Sequence, residues 1–268
     1  MRQSYFSTII IGFIFLVLCP FKTIKGQEKG LMIDRIEDLE CNVDGIDSII
    51  SYMHADGYNT AYLYVSKFWF ENFPALNDTL INKLKQAGIS PHAVVSPSSY
   101  EPMSLLLYKD LLVGYDGIFI EFEFWDNGDD FREFKRFCKQ LKSYLPDKII
   151  THYIGWPGKH FAEGVKRLRF MGEISNRIAV HMYRHEVDLD FVRNRIKAID
   201  VAGYEEESPF EIFVLYSTEP AFMANKLKEA TTDEIHSKVT QEIYNNINFL
   251  SGRISGQIWF KSSDLIEY

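Results

Sequence analysis

From residue 31 onward, short runs rich in β-branched and aromatic residues alternate with longer stretches whose apolar positions recur every three or four residues. This alternation is the signature of repeated strand and helix units around a parallel sheet. The strand-like runs are 31–35, 60–65, 91–95, 117–124, 149–154, 178–183, 211–216 and 256–260. Helical patterns between them include 43–55, 76–86, 129–144, 159–171, 189–202 and 232–249. Asp56-Gly57-Tyr58-Asn59 and Ala87-Gly88 end helices before the second and third strands, since glycine takes the left-handed residue that closes a helix. Leu145-Pro146-Asp147 does the same before the fifth. Between the third and fourth strands, residues 100–113 contain Pro102 and predict only a short helix.

Eight such strands closing on themselves is the simplest architecture, because closure removes sheet edges. The 268 residues also match the roughly 250 that a (β/α)8 barrel, the TIM barrel, needs. An open doubly wound sheet is the alternative, but no strand is followed by a glycine-rich phosphate loop. Residues 1–26 read as a signal peptide: Arg2 supplies the positive start, 9–18 is an apolar run too short to span a bilayer comfortably, and cleavage is expected at Gly26-Gln27. The expected mature chain, 27–268, is a single barrel domain, secreted or periplasmic, that meets a membrane only through the leader before cleavage. Cys19 follows Leu18, not the small residue that a lipoprotein site requires. Of the remaining cysteines, Cys41 is placed after the first strand and Cys138 inside a helix, so two free buried thiols are expected.

A net charge of -8 offers no basic face for a phosphate backbone and argues against a nucleic-acid partner. His152, His160, His181 and His185 lack zinc-site spacing, so no metal or other cofactor is implied. His181 falls on an inward face and reads as a core histidine.

The most informative stretch runs from Tyr115 to Trp125 through Asp116-Gly117-Ile118-Phe119-Ile120-Glu121-Phe122-Glu123-Phe124. Strict alternation puts Phe119, Glu121 and Glu123 on one face and Ile118, Ile120, Phe122 and Phe124 on the other. The continuously apolar face suits the surrounding helices, so both glutamates are expected inside, approaching the C-terminal mouth where such barrels carry their chemistry. Two neighbouring carboxylates repel, which raises at least one pKa and suits a general acid near neutral pH. A salt bridge to Lys261 or Arg184 is the structural alternative.

This segment resembles the fourth-strand signature of the family 18 glycoside hydrolases, the chitinase and endo-β-N-acetylglucosaminidase group. Asp116, Gly117 and Glu123 match; Phe119 and Glu121 stand where that pattern has an acid and an aspartate. The resemblance implies an exported hydrolase of N-acetylhexosamine-containing glycans that needs no cofactor, its partner an oligosaccharide or glycoprotein glycan. Glu123 would be the proton donor and Glu121 would orient the substrate acetamido group, whose carbonyl oxygen attacks the anomeric carbon. It further implies that Tyr183, ending the sixth strand, helps hold that group and that Trp259, in the eighth, lies under the sugar.

Trp125, Trp156 and Tyr153 are candidate cleft-lining aromatics, while Asp126 and Asp129 suit a helix start. Glu219, just past the seventh strand, opens a second reading as the nucleophile of a retaining glycosidase with Glu123 as acid/base. A carbohydrate-binding barrel without turnover is the third.

Overall fold

The computed structural model describes residues 27–34, 36, 43–96, 109–121, 131–155, 165–166, 168–171, 175–184, 188–195, 210–219, 223–246 and 254–260. The expected leader, Cys41, Glu123, Trp125, Asp126, Asp129, Trp156 and Lys261 lie outside them. The strands are β1 Glu28–Ile33, β2 Thr60–Tyr64, β3 Ser90–Val95, β4 Gly117–Ile120, β5 Ile149–Ile154, β6 Arg177–His181, β7 Glu211–Ser217 and β8 Ile254–Phe260. Each pairs in parallel with the next, and β8 returns to β1 to close the barrel. Helices α1 Val43–Ala55, α2 Lys67–Asn72, α3 Pro74–Gln86, α4 Lys109–Leu112, α5 Phe131–Tyr144, α6 Ala224–Leu227 and α7 Thr232–Asn246 lie between them in the chain. The chain is therefore a (β/α)8 barrel. Among the described residues no helix is long and apolar enough to cross a membrane.

Period-two alternation divides the strands into two faces. Met32, Tyr62, Val94, Phe119, Tyr153, Ala179, Phe213, Leu215 and Ile258 form the cluster inside the barrel, at least one from every strand. Their neighbours, including Ile118, Ile120, Ile150, Val180 and Val214, join the larger core between sheet and helices. Full burial of one such large side chain contributes about 1.5–3 kcal/mol. Gly57 and Gly88 have φ of 72° and 75°, the left-handed residues that end α1 and α3. β1 starts at Glu28, earlier than the apolar pattern shows, because the buried Lys29 is satisfied by the Asp56 carbonyl at 2.7 Å and by Asp233 at 3.2 Å.

A polar floor closes the N-terminal end. Arg177 Nη1 meets Glu28 Oε2 at 3.0 Å, its Nε donates to Glu211 Oε2 at 2.9 Å, and its guanidinium lies over Phe213 at 4.7 Å. Tyr62 donates its hydroxyl hydrogen to Glu28 Oε1 at 3.1 Å. Above this cluster the His92 ring packs against Gly117, where a Cβ would stand 2.4 Å from Nδ1, a buried atom with no hydrogen-bond partner.

Burial, reinforced by the Arg177 charge, pushes the His92 pKa down from 6.5 to about 3. The unfolded chain binds this proton below its ordinary pKa while the folded chain does so only near 3, so stability falls as pH drops through that interval. Burial lowers His152 to about 3 and His181 and His236 to about 4, in the same direction. In His92→Leu, the stability difference between variant and wild type should shift by roughly 2 kcal/mol in favour of the variant between pH 7 and pH 5. Urea midpoints at the two pH values measure this, and parallel losses in both proteins would contradict it.

Candidate active site

At the C-terminal end the inward register delivers polar groups. Tyr64 ends β2, Ser96 follows β3, Glu121 follows β4, Tyr153 lies near the end of β5, and Ser217 ends β7. The strand ladder continues through Glu121, whose N–H donates to the Val95 carbonyl at 3.0 Å, so its side chain keeps the inward parity of Phe119. Ser96 Oγ donates to Glu121 Oε2 at 3.0 Å, and the Tyr64 hydroxyl donates to the same carboxylate. Burial pushes the Tyr64 pKa up; the Glu121 charge and the nearby Tyr183 and Tyr153 push it further. Tyr183 and Tyr153 thus lie within electrostatic reach of the Tyr64 hydroxyl that is bonded to this carboxylate, and Phe260 is edge-on to Tyr64 at 6.2 Å.

His181 organises the β5–β6 side. Its Nε2 stands 2.8 Å from the Tyr183 carbonyl oxygen, which can only accept, so Nε2 carries the hydrogen. Nδ1 of the neutral ring is then an acceptor, and the Tyr153 hydroxyl donates to it at 3.1 Å. Burial and the Arg195 and Arg184 charges outweigh the carbonyl bond and push the His181 pKa down to about 4. The expected core histidine is therefore satisfied at both nitrogens, at the rim. Arg184 pairs with Asp188 at 3.5 Å, and its guanidinium lies over Phe191 at 4.2 Å. On β7, Ser217 Oγ donates to Glu219 Oε2 at 2.9 Å, turning that carboxylate back onto the strand end.

Of the residues singled out from the sequence, Glu121, Tyr153 and Tyr183 come together here. Asp116 does not: it precedes β4 at the opposite end, 2.8 Å from Lys85 and 2.9 Å from Ser90. Those partners hold its pKa below the ordinary value against the opposing effect of burial. Trp259 does not either. It faces the helices, fully buried, stacked on Tyr216 at 4.6 Å, with Nε1 donating to Gln257 Oε1 at 2.6 Å. Glu123, Trp125 and Trp156 lie outside the described residues. Tyr64 and Ser96 escaped the sequence reading; the one signal for Tyr64 was its inward parity with Tyr62 at the end of the second strand. Among the described residues no group of three or more histidine, cysteine, aspartate or glutamate side chains could hold a metal ion.

No protein-family model matches the sequence, and no curated protein matches it. The solved structures it resembles include a proposed alpha-L-fucosidase from Bacteroides thetaiotaomicron, with 12% identity, a TM-score of 0.58, and coverage of 88% of this chain and 87% of that one. The spore cortex-lytic enzyme SleL of Bacillus cereus aligns with 9% identity and a TM-score of 0.51 over 88% of this chain and 71% of the other. The YdjI aldolase of Escherichia coli K12 gives 10%, 0.51, 88% and 75% on the same measures. Glycosidase-type and aldolase barrels share this architecture, and at such identities the likeness is one of fold.

Trp259→Phe should lower the urea midpoint, because a buried stack and its indole hydrogen bond are lost. Urea denaturation followed by circular dichroism measures this, and an unchanged midpoint would contradict it.

Proposed function

We propose that the chain is an exported glycoside hydrolase of N-acetylhexosamine-containing glycans, with Glu123 as general acid. The observation that carries this reading is the Glu121 carboxylate, inward at the barrel mouth and held by the Tyr64 and Ser96 hydroxyls. By period-two alternation the next inward position beyond it is Glu123. Glu121 orients the substrate 2-acetamido group. Its carbonyl oxygen attacks the anomeric carbon as the glycosidic bond breaks, and Glu123 gives its proton to the departing oxygen. Water then opens the resulting oxazolinium ring and returns a proton to Glu123. Tyr183 and Tyr153 contribute to the wall beside the sugar, and Trp125 and Trp156 are assigned to the cleft rim.

Two observations favour variants of this reading. Glu219 sits at the mouth end of β7, which suits a retaining glycosidase in which it is the nucleophile, a scheme that requires the nucleophile and the acid/base carboxyls to lie about 5–5.5 Å apart. Phe119 is fully buried where the family pattern carries an acid, which suits a barrel that binds carbohydrate without turning it over.

Mature protein incubated with N-glycoprotein, chitin oligosaccharides and peptidoglycan fragments should release new reducing ends. Glu123→Gln should lower that rate by a factor on the order of 10² to 10⁴, whereas Glu219→Gln should leave it within a few-fold. Loss of turnover in Glu219→Gln transfers the chemistry to the second carboxylate. Binding of these glycans with no product in the wild type removes both hydrolytic schemes.

A further inference from the structure

Register staggers from strand to strand around the barrel, so side chains at one height come from alternate strands. Met32, Val94, Tyr153 and Leu215, on β1, β3, β5 and β7, form one such layer, and none of them is more than 7% exposed. The next layer toward the mouth comes from the even strands: Tyr64, His181 and Phe260 end β2, β6 and β8, and Glu121 follows β4. All four of these are half-buried. Burial therefore stops between the two layers, and the upper one is the floor of the open mouth. Strands four apart in a ring of eight stand opposite each other, which sets Phe260 across the floor from Glu121 and Tyr64 across from His181. Tyr64 ties the two sides together: its hydroxyl donates to Glu121, and its ring meets that of Phe260 at 6.2 Å and 77°.

Phe260 is the one member of this floor whose side chain has no polar atom. Its ring packs on the inner cluster yet keeps part of its surface in water, where an apolar face gains nothing until something apolar covers it. We infer that Phe260 is the platform of the site, on which a pyranose lays the face that carries its C–H groups. A pyranose has C–H groups on its faces and hydroxyls round its rim, so a ligand seated on Phe260 turns that rim toward the rest of the floor. Binding sites are largely apolar with a few polar groups that fix orientation, and the division between Phe260 and its three polar neighbours follows this plan. The inference rests on the proposed function for the rim, whose acetamido group that reading assigns to Glu121 opposite, and it adds which residue holds the apolar face.

Calorimetric titration of the purified protein with the β-1,4-linked trimers of N-acetylglucosamine and of glucose tests it. Phe260→Ala should weaken the better-bound trimer about tenfold. Phe260→Leu keeps apolar volume without a flat ring and should weaken it about fivefold or more, whereas Phe260→Trp should stay within about threefold of wild type. In Phe260→Trp the added indole should also change its emission as the trimer binds, read as the difference from wild-type spectra at the same saturation. These two variants keep the test intact if Phe260→Ala fails to fold, and the emission change is a readout that a merely packing role would not move. Wild-type affinity in Phe260→Leu overturns the inference. So does trimer binding that leaves the added indole unchanged, or binding of neither trimer. If the glucose trimer binds better and depends on Phe260, the inference stands while the N-acetylhexosamine reading falls. If the N-acetylglucosamine trimer is cleaved and Phe260→Leu binds it as tightly as wild type does, the reverse holds.

Discussion

Pairing of β8 with β1 is the constraint on which everything else in the molecule depends. Once the sheet is closed, every strand must send alternate side chains into one shared interior, and their volumes have to fit one another across the barrel. The fit is made by setting large rings beside missing side chains. Tyr62 fills the space above Gly30, His92 fills that above Gly117, and Gly256 lets β8 approach the Glu28 backbone, whose carbonyl oxygen would lie 2.3 Å from a Cβ there. Small residues in these strands are consequences of closure.

The same closure gives the two ends different work. At the floor, Glu28, Arg177 and Glu211 each open a strand, and the single guanidinium bridges the two carboxylates in a network that also receives the Tyr62 hydroxyl. At the mouth, hydroxyls converge on carboxylates: Tyr64 and Ser96 on Glu121, Ser217 on Glu219. An ion network of the first kind is satisfied internally and holds its members still. The hydroxyls described on these two carboxylates are neutral, so they bring no opposing charge of the kind that Arg177 supplies at the floor.

How much of this was legible in the sequence depended on whether one strand or several decided the matter. The barrel follows from the repeated alternation of strand-like and helical runs, and the inward parity of Phe119 and Glu121 from a single strand with one wholly apolar face; both were readable. Trp259 was not, because in β8 the parity is inverted relative to polarity: Gly256, Ile258 and Phe260 share one face while Gln257 and Trp259 lie on the other, toward the helices. Gln257 is tolerated there because it accepts from the indole and donates to Asp233 at 3.2 Å, a pairing that requires α7 to be in place. The Tyr64, Ser96 and Glu121 contact draws on three neighbouring strands and their register, information that no local pattern carries. Asp116 resembled a site residue because its dipeptide with Gly117 belongs to the family signature, yet it stands before the strand and is anchored by Lys85 at the far end.

The remaining buried histidine on β5 has a consequence of its own. His152 Nε2 lies 3.2 Å from Cys138 Sγ on α5, and Ser175 Oγ is hydrogen-bonded to Nδ1. Burial pushes the thiol pKa well up, so the nucleophilic thiolate is almost absent while the helix is seated. A thiol-alkylating reagent therefore reaches Cys138 only when α5 lifts from the sheet. The speed of labelling becomes a clock for how often that quarter of the barrel opens. In an oxidising surrounding, this sulfur stays out of disulfide exchange for as long as the helix remains down.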